Sequence, residues 1–539
     1  MVSVSNGSAD IKGQSISHVS GGHQFIWDFS CGGGDCYLGQ FIGGDYWIAP
    51  KQSNEKIILH SVSPLGLEHG LEVNPSSSTK QGFLSCQTNS FDNTLNLMNI
   101  LPVEVMPNSS LVKSYKSINK CGTKSILGCC VDSYNVLTVL AVVPEDNGKS
   151  AFRPGFAGNE KKIFYEHDFD FSKIPSAYKL NKSKYRVNYH EIHTRWHSPY
   201  VDHFMSGIGD RGRAFSPHAM MSDYGATQAA IYLNDLLAIM SNDRLSRKMP
   251  AITGLLQRGI DLYSSRKVGM YWPSGAGQTM GRKPPIVFFA SLVRSEDIKT
   301  DVMKMTLNNN NYTQEDGQIR IVSNSNGGGN VAIWGDVTGW CQPDFYWSQV
   351  FASKNYSGAT EPINPKGDSK KSCGDPHGWI DGPAGKPGSF YMSCCTTGGF
   401  IAYVVAQNLM PELCGISNDY ELLSYVHRVL DYGIHTSPDQ CAPPDPRELP
   451  SCRPYKKDSK CKYYGKTWGP NPKEQGQCII NGTNGLEQNG RFPHLHATPL
   501  GRILQEPNIS KFLRDSIGSQ LFDNCQQTNS SVHLKDNIR

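Results

Sequence analysis

Acidic side chains in polar loops are the residues of this sequence best suited to acid–base chemistry. Four of them stand in loop-like segments near Gly, Tyr or Trp: Asp223, Glu315, Asp316 and Asp336. A protonated carboxyl group donates a proton while an ionised one accepts a proton or attacks directly, which is the pairing that cleaves a glycosidic bond. Structural roles are the alternative, because Asp223 suits the first turn of a helix and Asp316 suits an Asp-Gly turn.

A histidine and a tyrosine offer a second acid–base pair. His218 follows Ser216-Pro217, and Tyr224 follows Asp223. A histidine base together with a tyrosine acid can remove the proton next to a uronate carboxylate, which is the step that starts a β-elimination. The alternative is that His218 is a loop residue whose ring bonds to the backbone.

Cations and tryptophans near these loops are candidates for substrate contacts. Arg282 and Lys283 precede two prolines and are suited to binding a carboxylate or a sulfate, or to an ion pair with a nearby acid such as Asp261. Three tryptophans are suited to stacking on sugar rings, or are core residues instead: Trp272, Trp334 and Trp340.

The spacing of histidines, cysteines and glycines argues against a metal or a cofactor. His190, His193 and His197 lack the H-E-x-x-H spacing of zinc proteases, and no two cysteines have the C-x-x-C spacing of structural zinc sites. Gly327-Gly328-Gly329 lacks the sequence context of a phosphate-binding loop. The sequence therefore predicts no metal site and no cofactor.

Cysteine content and glycosylation sequons indicate an oxidising compartment. The chain has 539 residues and 16 cysteines, an even number that suits disulfide bonds. Asn-x-Ser/Thr sequons begin at Asn6, Asn108, Asn181, Asn311, Asn355, Asn481, Asn508 and Asn529. We expect a secreted glycoprotein with N-glycans at several of these positions. The first residues lack the apolar core of a signal peptide and suit a mature form with an added Met.

Charge and hydropathy exclude two classes of partner. The net charge of +4 is small for this length, and no basic run is long enough to indicate a nucleic-acid partner. No run of about 18 apolar residues indicates a membrane span. We expect neither a nucleic acid nor a membrane as partner.

The elements that position these residues fall into three parts, which predict a multidomain α+β fold. Residues 20–180 hold short apolar or β-branched runs between turn residues and predict a β-sandwich. Residues 181–435 change to a helical period without intervening strands and indicate an all-helical domain. Its helices are predicted over 223–241, from Pro250 onward, and over 285–293, 399–410 and 419–431. Residues 436–539, rich in Cys and Pro, predict a disulfide-stapled extension packed on that domain.

A β-sandwich followed by a helical domain of this size resembles carbohydrate-active enzymes built on an (α/α)6 toroid. Several motifs also look like those of a widespread family of secreted bacterial proteins. They cover roughly residues 39–435: Gly39-Gln40-Phe41, Gly44-Asp45-Tyr46-Trp47, Asp223-Tyr224-Gly225, Gly259-Ile260-Asp261-Leu262-Tyr263, Gly281-Arg282-Lys283-Pro284, Glu315-Asp316-Gly317-Gln318 and Cys394-Cys395-Thr396. The Cys-rich C-terminal segment departs from the bacterial pattern, so the resemblance implies nothing there.

The resemblance and the residues together lead to three hypotheses of function. The first is an extracellular glycoside hydrolase that cleaves a polysaccharide with paired carboxylates, because a β-sandwich commonly precedes the helices in toroidal hydrolases. The second is a polysaccharide lyase that uses His218 and Tyr224, with Arg282 or Lys283 neutralising a uronate. The third is a non-catalytic glycan-binding or matrix protein. The expected partner is a polysaccharide or oligosaccharide in each case.

Overall fold

The computed structural model describes residues 14–432 with gaps, and two short segments beyond them, 468–470 and 478–480. The gaps are residues 33, 53–54, 78, 84–89, 117–130, 180–186, 206–210, 216–224, 273–276, 278, 308–312, 324–329 and 335–395. Every structural statement below concerns the described residues.

The N-terminal part is built from strands. They are β1 (Gln14–Ser20), β2 (His23–Cys31), β3 (Tyr37–Gln40), β4 (Tyr46–Ala49), β5 (Ile57–Ser63), β6 (Leu71–Val73), β7 (Val103–Val105), β8 (Ser109–Lys116) and β9 (Val131–Val139). One sheet has the order β1-β2-β5-β7 and is antiparallel throughout. The other has the order β3-β4-β9-β8-β6, and within it β4 and β9 run parallel.

The two sheets bury their apolar side chains against each other. Alternate residues of β2, such as Trp27 and Phe29, share one hydrophobic cluster with Leu111 of β8 and Leu137 of β9. This alternation is the period-two pattern of strands with one buried face. A disulfide joins Cys31, at the end of β2, to Cys36, just before β3. This bond agrees with the disulfide bonds expected from the cysteine content of the sequence.

The second part consists mainly of helices. They are α1 (Tyr189–His197), α2 (Gly225–Ile239), α3 (Leu245–Lys267), α4 (Lys283–Leu292), α5 (Glu296–Leu307), α6 (Gln314–Gly317), α7 (Thr397–Leu409), α8 (Pro411–Ser417) and α9 (Tyr420–Tyr432). Their buried faces form one large cluster, which includes Leu236 of α2, Leu255 of α3 and Phe289 of α4. At Gly259 of α3 a side chain would come within 2.5 Å of the Pro285 carbonyl oxygen, so glycine lets α3 and α4 approach closely.

The remaining strands of the described residues form two-stranded antiparallel pairs. They are β10 (Ala151–Phe152) with β11 (Phe164–Tyr165), β12 (Val201–Met205) with β13 (Arg211–Phe215), β14 (Ile319–Ser323) with β15 (Asn330–Trp334), and β16 (Trp468–Pro470) with β17 (Cys478–Ile480). Two of these pairs lie between the helices, so the expectation of a helical region without strands is wrong. The β-branched residues of β14 and β15 explain the second of these pairs, since such residues favour strands.

A buried ionic contact joins the two parts. Arg153 donates from Nε to Asp45 Oδ2 at 2.7 Å, and its two terminal nitrogens donate to Asp261 of α3 at 2.9 and 2.7 Å. The three side chains are between 1% and 3% exposed. Because Asp45 lies in the β3–β4 turn, this contact connects the five-stranded sheet to α3.

The structure confirms some predicted helices and corrects others. The helix predicted over 285–293 is α4, which is buried along its whole length. The helix expected to begin at Pro250 instead begins at Leu245. Lys248 extends it by a turn, because the Lys248 N–H donates to the Arg244 carbonyl oxygen and the Lys248 ammonium donates to the Ser241 carbonyl oxygen. Helix α1 was not expected. Its sequence signal is Asn188, whose side chain accepts hydrogen bonds from the first turn.

Within the described ranges, no single helix has the length and apolar composition needed to cross a membrane. Helices α7 and α8 have that length and composition only when they are taken together, and they meet at a bend of 117°.

Candidate functional site

About half of the sequence-predicted site residues lie within the described part of the chain. Glu315, Asp316, Arg282, Lys283 and Trp272 are described with their side chains, and Trp334 is described as the last residue of β15. The others lie outside the described residues: Asp223, Tyr224, His218, Asp336 and Trp340.

The loop before α4 is the central feature of the site. Gly281 has a φ of +85°, a conformation that favours glycine, and a side chain there would come within 2.9 Å of the Ala229 backbone in α2. Pro284 and Pro285 follow in the first turn of α4, where a missing N–H is tolerated. The sequence Gly-Arg-Lys-Pro-Pro therefore starts α4 directly against α2.

The short helix α6 carries the two acidic candidates to this loop. Thr313 caps α6 by accepting from the Asp316 N–H, and Gln314 Oε1 accepts from the Thr279 N–H at 3.1 Å. Glu315 Oε1 accepts from the Gly281 N–H at 2.6 Å. Adjacent residues of a helix point in different directions, so Glu315 and Asp316 meet different partners.

Asp316 is part of a buried ionic cluster that we call the Lys283 cluster, made of Lys283, Asp316 and Asp419. The ammonium of Lys283 contacts Oδ1 of both aspartates, and the three side chains are between 2% and 5% exposed. Burial alone would lower the pKa of Lys283, but the two carboxylates outweigh it and raise that pKa above its ordinary value. Lys283 thus makes the ion pair that the sequence left open, with Asp316 and Asp419 in place of Asp261.

Hydrogen bonds from α7 and α8 hold Asp419, which directly precedes α9. Its Oδ2 accepts from Gln407 Nε2 at 3.1 Å and from the Ser417 hydroxyl, and that hydroxyl lies 2.7 Å from the Tyr403 hydroxyl. The sequence analysis had placed Asp419 only at the start of a helix. No local spacing could reveal its contact with Lys283, because 136 positions separate the two residues.

Glu315 has the environment of a carboxylic acid that is neutral in part at pH 7. It is 3% exposed, and its Oε2 has no hydrogen-bond partner within the described structure. Burial raises the pKa of Glu315 to about 7, although the hydrogen bond from Gly281 opposes the rise. Nearby, the charge of Asp316 adds to the rise and that of Lys283 opposes it. Such a group can either donate or accept a proton near neutral pH.

Arg282 and Trp272 are also buried. Arg282 is 0% exposed and donates to the Met280 carbonyl oxygen. Trp272 is 1% exposed, and its indole N–H has no acceptor among the described residues. Trp334 ends β15 opposite Ile319, close to the turn that carries Glu315 and Asp316. The structure therefore brings the loop before α4, helix α6 and the end of β15 together.

The histidines of α1 have structural partners. His193 has Nδ1 3.1 Å from the Pro250 carbonyl oxygen and Nε2 3.1 Å from that of Gly43, and its ring stacks on that of His197. Across the described residues, no group of three or more His, Cys, Asp or Glu side chains is arranged to hold a metal ion.

No protein-family model, curated protein or solved structure matches this chain.

Proposed function

We propose that this protein is an extracellular carbohydrate-active enzyme that cleaves glycosidic bonds of a polysaccharide, with Glu315 as its general acid. The observation that carries the proposal is the position of Glu315. It is a buried carboxyl group with a pKa of about 7, held by Gly281 where the loop before α4 meets α2 and α6. Perturbed carboxyl groups of this kind are more frequent at catalytic sites than elsewhere.

The second carboxylate of the pair is Asp223 or Asp336 in this proposal. Asp223 precedes α2 by two residues, and Ala229 of α2 packs on Gly281. Asp336 follows Trp334 by two residues, and Trp334 is paired with Ile319 directly after α6. Each of the two residues is thus close in sequence to a described residue that lies near the Glu315 neighbourhood. Asp316, which Lys283 already holds, supports the site from within.

The proposed architecture follows the same resemblance. Residues 20–180 form a β-sandwich, for which the hydrophobic cluster shared by the two sheets is the support. Residues 181–435 form an (α/α)6-type toroid, supported by the single cluster that unites the helices. Residues 436–539 form the Cys-rich extension. Secretion is supported by the Cys31–Cys36 disulfide and by the exposed side chain of Asn108, the first residue of a sequon.

The burial of Glu315 has a consequence for substrate binding. Because Glu315 is 3% exposed, a sugar reaches its carboxyl group only when the surrounding side chains move apart. We therefore expect substrate binding to be coupled to a local rearrangement around α6, as in enzymes whose sites close over the substrate.

A panel of neutral and uronate-containing polysaccharides tests the proposal. Wild-type protein is expected to release new reducing ends without ultraviolet-absorbing product, and E315Q is expected to lower kcat by about 10²- to 10⁴-fold, the usual contribution of a general acid. The matched control is E72Q, which replaces another buried glutamate of raised pKa, in β6 and away from the site.

The outcomes separate the three hypotheses. Full activity in E315Q would remove Glu315 from the mechanism. An unsaturated product that absorbs in the ultraviolet would establish the lyase alternative with His218 and Tyr224. Binding to a polysaccharide without any product would establish the glycan-binding alternative.

A further inference from the structure

Asp419 is the member of the Lys283 cluster that no sequence motif indicated. Its carboxylate contacts Lys283 through Oδ1 and is held through Oδ2 by Ser417 and Gln407. The side chain of Asp419 is 2% exposed. It therefore links α7 and α8 to the first residue of α4, the helix that begins beside Glu315.

We propose that Asp419 is a positioning residue of the candidate site: by sharing Lys283 with Asp316, it fixes the start of α4 and sets the charge next to Glu315. This inference rests on the proposed function for its catalytic meaning. Its structural part does not depend on that function: Asp419 contacts Lys283, and the charge of Lys283 acts on Glu315.

The sign of the effect follows from the charges around Glu315. The charge of Lys283 favours the ionised carboxylate of Glu315, while the charge of Asp316 disfavours it. The charge of Glu315 in turn raises the pKa of the Tyr403 hydroxyl group. Asp419 lies against Lys283 and partly neutralises it. Removing the Asp419 charge leaves the ammonium less neutralised, so Glu315 ionises more readily and its pKa falls.

The variant D419N tests this directly, because asparagine has nearly the same shape without the charge. We expect D419N to move the titration of Glu315 toward lower pH by about half a unit to one unit, in the range typical of a nearby charge. The titration is measured as the pH dependence of the unfolding free energy, compared with the same variant carrying E315Q. In the active enzyme, the limb of the kcat/KM profile that belongs to Glu315 should move in the same direction.

Two further variants distinguish charge from packing. Q407M removes the hydrogen bond to Asp419 Oδ2 and keeps every charge of the Lys283 cluster, so the Glu315 titration should stay in place. D419E keeps the charge on a longer side chain and should retain more of the wild-type titration than D419N. If D419N does not fold while D419E does, the negative charge is required to hold Lys283, as proposed.

The inference is overturned if D419N and wild type titrate alike, or if D419E and D419N are equally impaired, since packing alone would then explain the residue. Its failure is distinguishable from failure of the proposed function. A shifted titration in a protein that cleaves no polysaccharide would leave the Asp419 inference standing and remove the enzyme. Cleavage with an unshifted titration would do the reverse.

Discussion

At the scale of single residues, two glutamates show how burial changes a carboxyl group. Glu315 accepts from the Gly281 N–H, and Glu72 of β6 accepts from the Gly82 N–H at 2.9 Å. Each is 3% exposed. Burial raises the pKa of Glu315 to about 7 and that of Glu72 to about 8, both from an ordinary value of 4.5. One backbone hydrogen bond is not enough to keep the pKa of either group at its ordinary value.

The raised pKa of Glu315 predicts that stability depends on pH. A carboxyl group whose pKa is raised by folding stabilises the native state fully below pH 4.5, and that contribution is lost as the pH rises through the native pKa. The free energy of unfolding of E315Q should therefore rise relative to that of wild type between about pH 4.5 and 7, by on the order of 3 kcal/mol. Urea unfolding at a series of pH values measures it.

E72Q is the control for this series. Its gain over wild type should extend about one pH unit higher, to about pH 8, because Glu72 has the higher pKa. A pH-independent difference between E315Q and wild type would mean that folding does not shift the pKa of Glu315, and the proposed general acid would lose its basis.

Residue types in the sequence indicated the loops of the candidate site but not the environment of their side chains. Glu315 and Asp316 were expected to act on a substrate and Arg282 and Lys283 to bind it, and the side chain of each proves to be almost fully enclosed. Enclosure depends on contacts such as that of Lys283 with Asp419, between residues far apart in the chain. Sequence periodicity reports only local structure and is silent about such contacts.

At the scale of elements, the junction of α2, α4 and α6 depends on Gly281. The helix α4 itself follows from sequence, because an apolar run after Pro284-Pro285 predicts a buried helix. The closeness of α4 to α2 does not follow from periodicity, since it requires a residue with positive φ and no side chain where the backbone of Ala229 passes.

A pair of glycine variants separates backbone strain from close packing. Gly281 and Gly269 have φ values of +85° and +89°, but a side chain at Gly269 would meet nothing within 4 Å. G269A should cost about 1 to 2 kcal/mol of stability, the strain of a left-handed residue. G281A should cost several kcal/mol and also disturb the Gly281 N–H that Glu315 accepts. Equal costs by urea unfolding would show that α2 and α4 are not in close contact there.

At the scale of the whole molecule, Arg153 makes a buried ionic connection between the sheets and the helices. It satisfies one carboxylate from each part, and all three groups are excluded from solvent. Breaking a buried ion pair leaves uncompensated charge in the interior, which is much more destabilising than the loss of an exposed pair. We therefore expect the loss of Arg153 to destabilise the contact between the two parts.

The variant R153M is expected to lower the free energy of unfolding by about 3 to 5 kcal/mol, because Asp45 and Asp261 then remain buried without their cation. The matched variant R266M removes an arginine that pairs with Asp301 at 2.6 Å near the surface, where the side chains are 11% and 31% exposed. It should cost about 1 kcal/mol or less. Comparable losses in chemical denaturation would argue that the junction is hydrated.

The parallel pairing of β4 with β9 constrains the order in which the newly made chain can assemble. The strands β1, β2, β5 and β7 have all been synthesised once Val105 is added to the chain. In contrast, Tyr46 of β4 finds its neighbour only when Leu137 has been made. One edge of the β3–β4 hairpin therefore stays unpaired while roughly ninety further residues are synthesised. A nascent chain arrested before β9 should expose that edge to other chains.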